Sequence, residues 1–483
     1  MKKISRLLFF LLLGFILLLR LFSDHSRNFH YTGDFLAEQS TLSAANNFGK
    51  LGIEKTRLLP NYKEVTDPAQ ETHESLRPYS YSHYPPFPWW FFGGVYLFFG
   101  HSILAARGAA LLISLLGLFF AFRSVKTVQE LVSPEADGAA NPTLFAFVFA
   151  LLAFNSGFLF FSDTIQQQPL VQMLVWASLC WSLRYLFFRA SLFWGILLYC
   201  LHVWITFEWL VPVGIIFSYC IWKKEESLRK AIKPWLLFAG LGILLPLALR
   251  LALNSWALGG ADTALQDWVT RAKERSLGDP TQAGMEYQLF KHLGKLFFGL
   301  IWFVGIPAIL IVLTQGISLL KTLRKKHYLP TLFLLWGVGS VSWQMIMPQN
   351  AMVHSYSQLH IANFVFFAAA LCLVFFWEKR KGFLAFLMLW FTLEAGMAIK
   401  TEIFLPFISQ STGFLSENIC KEEAANLDAT LKPIKSSISS YIQEELQKKI
   451  HIVPCDQYSR RAAQVLTLYS YLVKSRLSLQ TFP

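Results

Sequence analysis

The chain returns again and again to unbroken apolar runs of helix length, and that recurrence limits what it can fold into. A bilayer core is crossed by a helix of about 20 apolar residues, with a range of roughly 17–25. In hydrocarbon the backbone must satisfy its own hydrogen bonds, so such runs are helices. We read eleven, at about 4–22, 103–122, 143–161, 169–188, 191–206, 209–222, 235–253, 296–314, 330–347, 360–377 and 383–399. The pair 191–206 and 209–222 is short, and Pro212 interrupts it. Of the 483 residues only 15% are charged and 54% are hydrophobic, against roughly 25% charged in an average soluble domain. These proportions exclude a disordered chain, a collagen, a coiled coil, a small disulfide scaffold and an ordinary soluble enzyme. The expected fold is an all-α polytopic membrane protein.

The net charge of +13 would suit nucleic acid, but its placement says otherwise. Lys2, Lys3 and Arg6 precede the first span, and Arg123 and Lys126 follow the second. Arg184 and Arg189 follow the fourth, and a run from Lys223 to Lys233 follows the sixth. Lys321 to Lys326 follow the eighth, and Lys379, Arg380 and Lys381 follow the tenth. The alternate short turns, 162–168, 207–208 and 348–359, carry no Lys or Arg. Short loops rich in Lys and Arg stay cytoplasmic. The N-terminus is therefore expected inside, the C-terminus outside, and the surplus charge is a topology signal with no nucleic-acid partner implied. The basic start and first apolar run resemble a signal peptide, but bulky and charged residues from Arg20 to Arg27 replace a small-residue cleavage site, so an uncleaved span is expected.

Two domains are expected: a transmembrane body at 1–399 and a small extracytoplasmic α or α/β domain at 400–483. The outer loop 23–102 contains an apolar stretch, Trp89 to Gly100, that is too short to span and reads as an interfacial or re-entrant helix.

Polar chemistry gathers on the outer side. Asp34 follows the first span, with Glu38 four residues on. A carboxylate there can act as a general base on an acceptor hydroxyl or amine; taken alone, Asp34 reads first as a solvated acid or a helix N-cap. His83 sits in Tyr81-Ser82-His83-Tyr84-Pro85-Pro86, before Trp89 and Trp90, which suit a headgroup belt. Arg107 opens the second span, where it binds a lipid phosphate or snorkels to the interface. Asp163 lies in the turn between the third and fourth spans and reads as a turn cap. Glu208 lies among Trp204, Phe207 and Trp209, and an acid at membrane depth needs a partner. His354, Tyr356 and His360 lie between the ninth and tenth spans. With His83, these histidines could ligate a divalent metal or hold a phosphate, although a six-residue spacing is unlike the usual zinc spacings. There is no Walker loop, Gly-x-Ser-x-Gly elbow or Cys-x-x-Cys pair. Nucleotide-driven and redox chemistry therefore lack support.

Taken in order, the single span, the outer loop with an early acid, the His83-Tyr84-Pro85-Pro86 element, the short helix ending in Phe99-Gly100 and the Arg107 that opens the next span resemble the GT-C superfamily of integral-membrane glycosyltransferases. The likeness is to its protein O-mannosyltransferase and lipid A aminoarabinose transferase group, and it covers about residues 1–125. It implies a polyprenyl-phosphate-linked sugar donor, a lipid, glycan or protein acceptor, and a multi-pass place in a bacterial inner membrane, within the cell envelope. Asp34 falls where the superfamily's catalytic Asp lies. Phe35 stands in place of the paired Glu, and Gln168-Pro169 in place of an Asp-Pro. These departures leave the metal open, and no cofactor is certain. On this reading Asp34 is the base, and Arg107, His83, His354, His360 and Tyr356 serve the donor phosphate. Glu38, Asp163 and Glu208 are further candidates.

Two alternatives remain open. One is a non-catalytic relative. The other is a transporter or flippase of a lipid-linked sugar, for which only Arg250 and Glu394 lie charged well inside spans, and no inverted repeat is visible. In the tail, Cys420 and Cys455 are the two available cysteines, and an external compartment permits their pairing. In the chain-entropy model a loop of that length stabilises the tail by about 3–4 kcal/mol. Alkylation mass spectrometry without reductant should find the two joined. Free thiols in protein taken from its membrane would count against both the bridge and the external tail.

Overall fold

In the computed structural model, the described residues are Gly14 and 35–399, apart from 64, 66, 83, 101, 134–141, 226, 278–287 and 354. Among them the chain is helical, with one isolated bridge between Asn61 and Ser80. Six helices are long and apolar enough to cross a membrane: Ile103–Val132, Gln168–Phe187, Leu228–Leu258, Ile306–Leu323, Leu329–Ile346 and Leu359–Gly396. The expected first span, 4–22, and the whole tail, with Cys420 and Cys455, lie outside the described residues.

The helices used below are α1 (Phe35–Thr56), α2 (Phe87–Phe99), α3 (Ile103–Val132), α4 (Gln168–Phe187), α5 (Leu192–Ile205) and α6 (Leu210–Glu225). They continue with α7 (Leu245–Leu258), α8 (Ala261–Leu277), α9 (Leu289–Val304), α10 (Ile306–Leu323), α11 (Leu329–Ile346) and α12 (Leu359–Ile399).

The pair α3 and α4 forms the spine. On α3 the buried face reads Ala106, Ala110, Ser114, Gly117, Ala121 and Ser124, a helical period written in small residues. Small residues let membrane helices approach closely, which replaces a hydrophobic driving force that lipid cannot supply. At Gly117 the two backbones come so near that an added Cβ would lie 3.0 Å from the Met173 Cα. The short helix α2 is a 13-residue element ended by Gly100 at φ 71, a left-handed stop that glycine adopts without a Cβ penalty. Ser102 then caps α3 by accepting from the Ala105 N–H at 3.2 Å. A cluster of Leu42, Ala45, Phe92, Tyr96, Ala106, Ala110 and Ile165 locks α1, α2 and α3 onto the 162–168 turn.

Several spans differ from the sequence reading. The expected 296–314 is two helices, α9 and α10, parted at Gly305 with φ 77 and followed by Pro307; the positive φ and the proline together break the run. The Glu394 carboxylate lies against Gly305, at the start of α10, where a helix N-terminus favours a negative charge. The expected 143–161 is Pro142–Ala153 followed by Ser156–Phe161, because Asn155 caps the second piece by accepting from the Phe158 N–H at 2.8 Å. The expected 360–377 and 383–399 are two arms of α12, bent at Arg380. The expected 235–253 lies within a longer helix, 228–258, that carries a π-turn at Phe238–Leu244.

The basic-loop pattern still sets the expected sidedness. A reporter fused after Lys326 should read cytoplasmic and one after Asn350 external. Both reading the same side would overturn the orientation.

Candidate functional site

The site is built around a four-residue turn, Thr206 to Trp209, joining α5 to α6. Thr206 shapes it by accepting from the Glu208 N–H at 3.1 Å. The side chains that follow reach α7, α11, α12 and the segment bearing Tyr84.

Glu208 is 3% exposed. One carboxylate oxygen accepts from the Tyr84 phenol at 3.0 Å, and the other from His360 Nε2 at 2.5 Å. Burial, and then the Glu208 charge itself, push the Tyr84 phenol up, so Tyr84 is the proton donor. The neighbour Trp209 settles the His360 tautomer. Its indole N–H can only donate, and it donates to His360 Nδ1 at 2.7 Å. His360 Nδ1 is therefore the acceptor, and Nε2 carries the proton aimed at Glu208. Trp209 is held in turn by Trp336, with ring centroids 5.1 Å apart.

Phe207 faces the other way, and the Arg250 guanidinium lies 3.9 Å above its ring. Trp268 of α8 faces the same guanidinium at 5.2 Å. Arg250 is 0% exposed. Its Nη1 reaches the Val203 carbonyl at 3.5 Å, while Nε and Nη2 have no hydrogen-bond partner among the described residues. A second guanidinium, Arg275, lies 4.6 Å over the Tyr84 ring, and that ring lies 6.3 Å from the Phe207 ring under Arg250. The segment bearing Tyr84 is fixed beside them. Ser82 donates to Asp267 at 2.6 Å, and its carbonyl accepts from Asn254 Nδ2 at 2.9 Å.

A buried cation costs several kcal/mol unless it is paired and hydrogen-bonded. Two arginines share one aromatic setting, and one of them is short of partners among the described residues, an arrangement whose charge an anion would offset. Among the described residues no three His, Cys, Asp or Glu are grouped to hold a metal.

No family model matches the chain, and no curated protein matches it. It is similar to the crystal structure of ArnT from Cupriavidus metallidurans bound to undecaprenyl phosphate, at TM-score 0.47 and 15% identity. The match covers 84% of this chain and 66% of that one, so this chain spans just under two thirds of that protein's length. What this chain does has to follow from its own side chains.

The residues singled out in the sequence fall in different places. Arg107 is 2% exposed and does not snorkel: its Nη1 donates to the Asp163 carbonyl at 3.2 Å, tying α3 to the 162–168 turn. Ser114 Oγ donates to the adjacent Ser162 carbonyl at 2.7 Å. Glu208 and His360 come together, with both nitrogens of His360 engaged by protein. Asp34, His83 and His354 lie outside the described residues. Glu38 and Tyr356 are placed by backbone alone, in α1 and in a 3₁₀ turn at Ser355–Gln358. The tryptophans expected as a headgroup belt are packed into the loop. Trp89 lies 5.6 Å from the Tyr81 ring, and Trp90 donates to the Leu58 carbonyl at 2.8 Å.

Tyr84, Arg250 and Arg275 were missed as site residues. The sequence did carry one signal, since Arg250 is one of only two strongly charged residues deep in a span.

Proposed function

We propose that the protein transfers a sugar from a polyprenyl-phosphate-linked donor to an acceptor at the outer face of the membrane. The observation that carries this reading is Arg250, a fully buried guanidinium with two nitrogens unpartnered among the described residues and Arg275 close by. An anion supplied by a ligand completes such a seat, and a lipid-linked phosphate is an anion that an integral membrane protein meets. Arginine suits this work because its planar fork pairs with phosphate oxygens. The order of elements in residues 1–125, which resembles the GT-C superfamily, points to the same donor class.

In this mechanism the acceptor oxygen or nitrogen attacks the anomeric carbon opposite the phosphate. The bond from that carbon to the phosphate oxygen breaks, and polyprenyl phosphate leaves as an anion neutralised by Arg250 and Arg275. The acceptor's proton goes to Asp34, the general base. Arg107 holds the turn beside the seat. His360 has both nitrogens committed, so the arginines rather than His360 take the phosphate in this reading.

The test is direct. Purified protein, given a polyprenyl-phosphate sugar and a panel of lipid, glycan and peptide acceptors, should release polyprenyl phosphate and form a glycosylated product. A protein that binds no polyprenyl phosphate under these conditions would end the proposal. Glu394 lies at the start of α10, where the helix N-terminus favours its charge, so its presence is accounted for without a transport pathway.

A further inference from the structure

We infer that Glu208 is a positioning residue for the phosphate seat, acting on Arg275 through the Tyr84 ring. This inference rests on the proposed function above.

Unlike Arg250, whose Nε and Nη2 have no partner among the described residues, Glu208 has both carboxylate oxygens spent on protein donors. Its influence must therefore travel through its partners. One of them, Tyr84, receives the Arg275 guanidinium on its face at 4.6 Å. A cation is drawn to an aromatic face by the ring's negative quadrupole. A phenol donating its proton to a carboxylate is polarised, which makes its ring richer in electrons, and hydrogen bonds in a low dielectric reinforce one another in this way. So the carboxylate both fixes the orientation of the ring and strengthens its hold on Arg275. His360 completes the anchor from the other side. Because Trp209 occupies its Nδ1, the imidazole presents only an N–H to Glu208. The carboxylate thus meets two donors, and neither is a fixed cation, so its charge stays available to act through Tyr84.

The single-turn source of these contacts matters. Phe207, under Arg250, and Glu208, under Tyr84, are adjacent in sequence. One backbone turn therefore sets the separation of the two guanidiniums that share the seat.

The experiment measures undecaprenyl phosphate binding by the full chain in detergent, with steady-state KM and kcat where transfer is assayable. Glu208→Gln keeps a hydrogen bond to Tyr84 and removes the charge. Tyr84→Phe keeps the ring and leaves the Glu208–His360 pair intact, and so serves if Glu208→Gln folds poorly. Each should weaken lipid-phosphate binding and raise the donor KM by roughly 2- to 10-fold, a part of what a desolvated cation–π contact is worth, since both variants keep the ring. The kcat should move by less than about threefold, and the ligand-free melting temperature by a few degrees at most. In an Arg275→Met background, which removes the cation the ring holds, Glu208→Gln should add little. A merely structural role would instead lower stability and add its full effect to the Arg275→Met loss. Wild-type affinity in both Glu208→Gln and Tyr84→Phe, or full additivity with Arg275→Met, would overturn the inference and leave the phosphate seat standing. Absence of binding by the wild type would remove the seat itself, and the inference with it.

Discussion

Replacing Arg250 with Met should abolish most lipid-phosphate binding while leaving the ligand-free protein as stable as the wild type, or more so. The two effects have opposite signs for one reason. Without ligand, Arg250 is a fully buried cation short of hydrogen-bond partners among the described residues, and such a charge costs folding energy. Methionine keeps a flexible apolar chain to pack on Phe207 and Trp268 and removes the charge. With lipid phosphate present, the loss is of charge-assisted hydrogen bonds worth about 1.5–3 kcal/mol each. Two of these correspond to a fall in affinity of roughly 10²-fold or more. Melting curves with and without undecaprenyl phosphate read both effects in one experiment, since a bound ligand raises apparent stability. Wild-type should show a ligand-induced shift and Arg250→Met none. An undiminished shift in Arg250→Met would place the phosphate elsewhere.

Asp34→Asn should leave donor binding intact and cut transfer by roughly 10²–10⁴, the range for loss of a positioned general base. The substitution preserves volume and removes the proton acceptor. Assayed in purified membranes, the variant should bind undecaprenyl phosphate as the wild type does, with the loss confined to kcat. Glu38→Gln should change transfer much less. Normal transfer by Asp34→Asn would take Asp34 out of the mechanism. An unaltered phenotype together with no transfer by the wild type would favour the non-catalytic relative.

The helical membrane architecture was legible because apolar length and loop charge are local properties of the chain. Where the reading slipped, a local backbone device intervened. Gly305 with Pro307 broke one expected run, Asn155 broke another, and Arg380 bent α12 where two separate spans were expected. Glu208 was readable as an acid in need of a partner, since its aromatic neighbours stand next to it in sequence. The identity of that partner was not readable. His360 and Tyr84 are brought to Glu208 by helix packing, and no period or spacing marks them. Arg107 shows the same limit. At the mouth of a helix, snorkelling and burial look alike in sequence, and only the Asp163 carbonyl decides between them. Arg250 was visible as an anomaly, but what made it a site lies on two other elements: Phe207 in the 206–209 turn, and Trp268 and Arg275 on α8.

Ser82 meets a partner 185 positions later in the chain, and Glu208 meets His360 across 152 positions. A chain made at about 5–20 residues per second therefore carries the Ser82 segment for many seconds before α8 arrives to hold it, and Glu208 waits comparably for α12. Until then the Glu208 carboxylate stands without one of its donors, and incompletely folded chains are continuously triaged by proteases. The seat is thus assembled last although its first pieces are made early, and a truncation anywhere before α12 should be cleared from the cell rather than accumulate as an inactive stub.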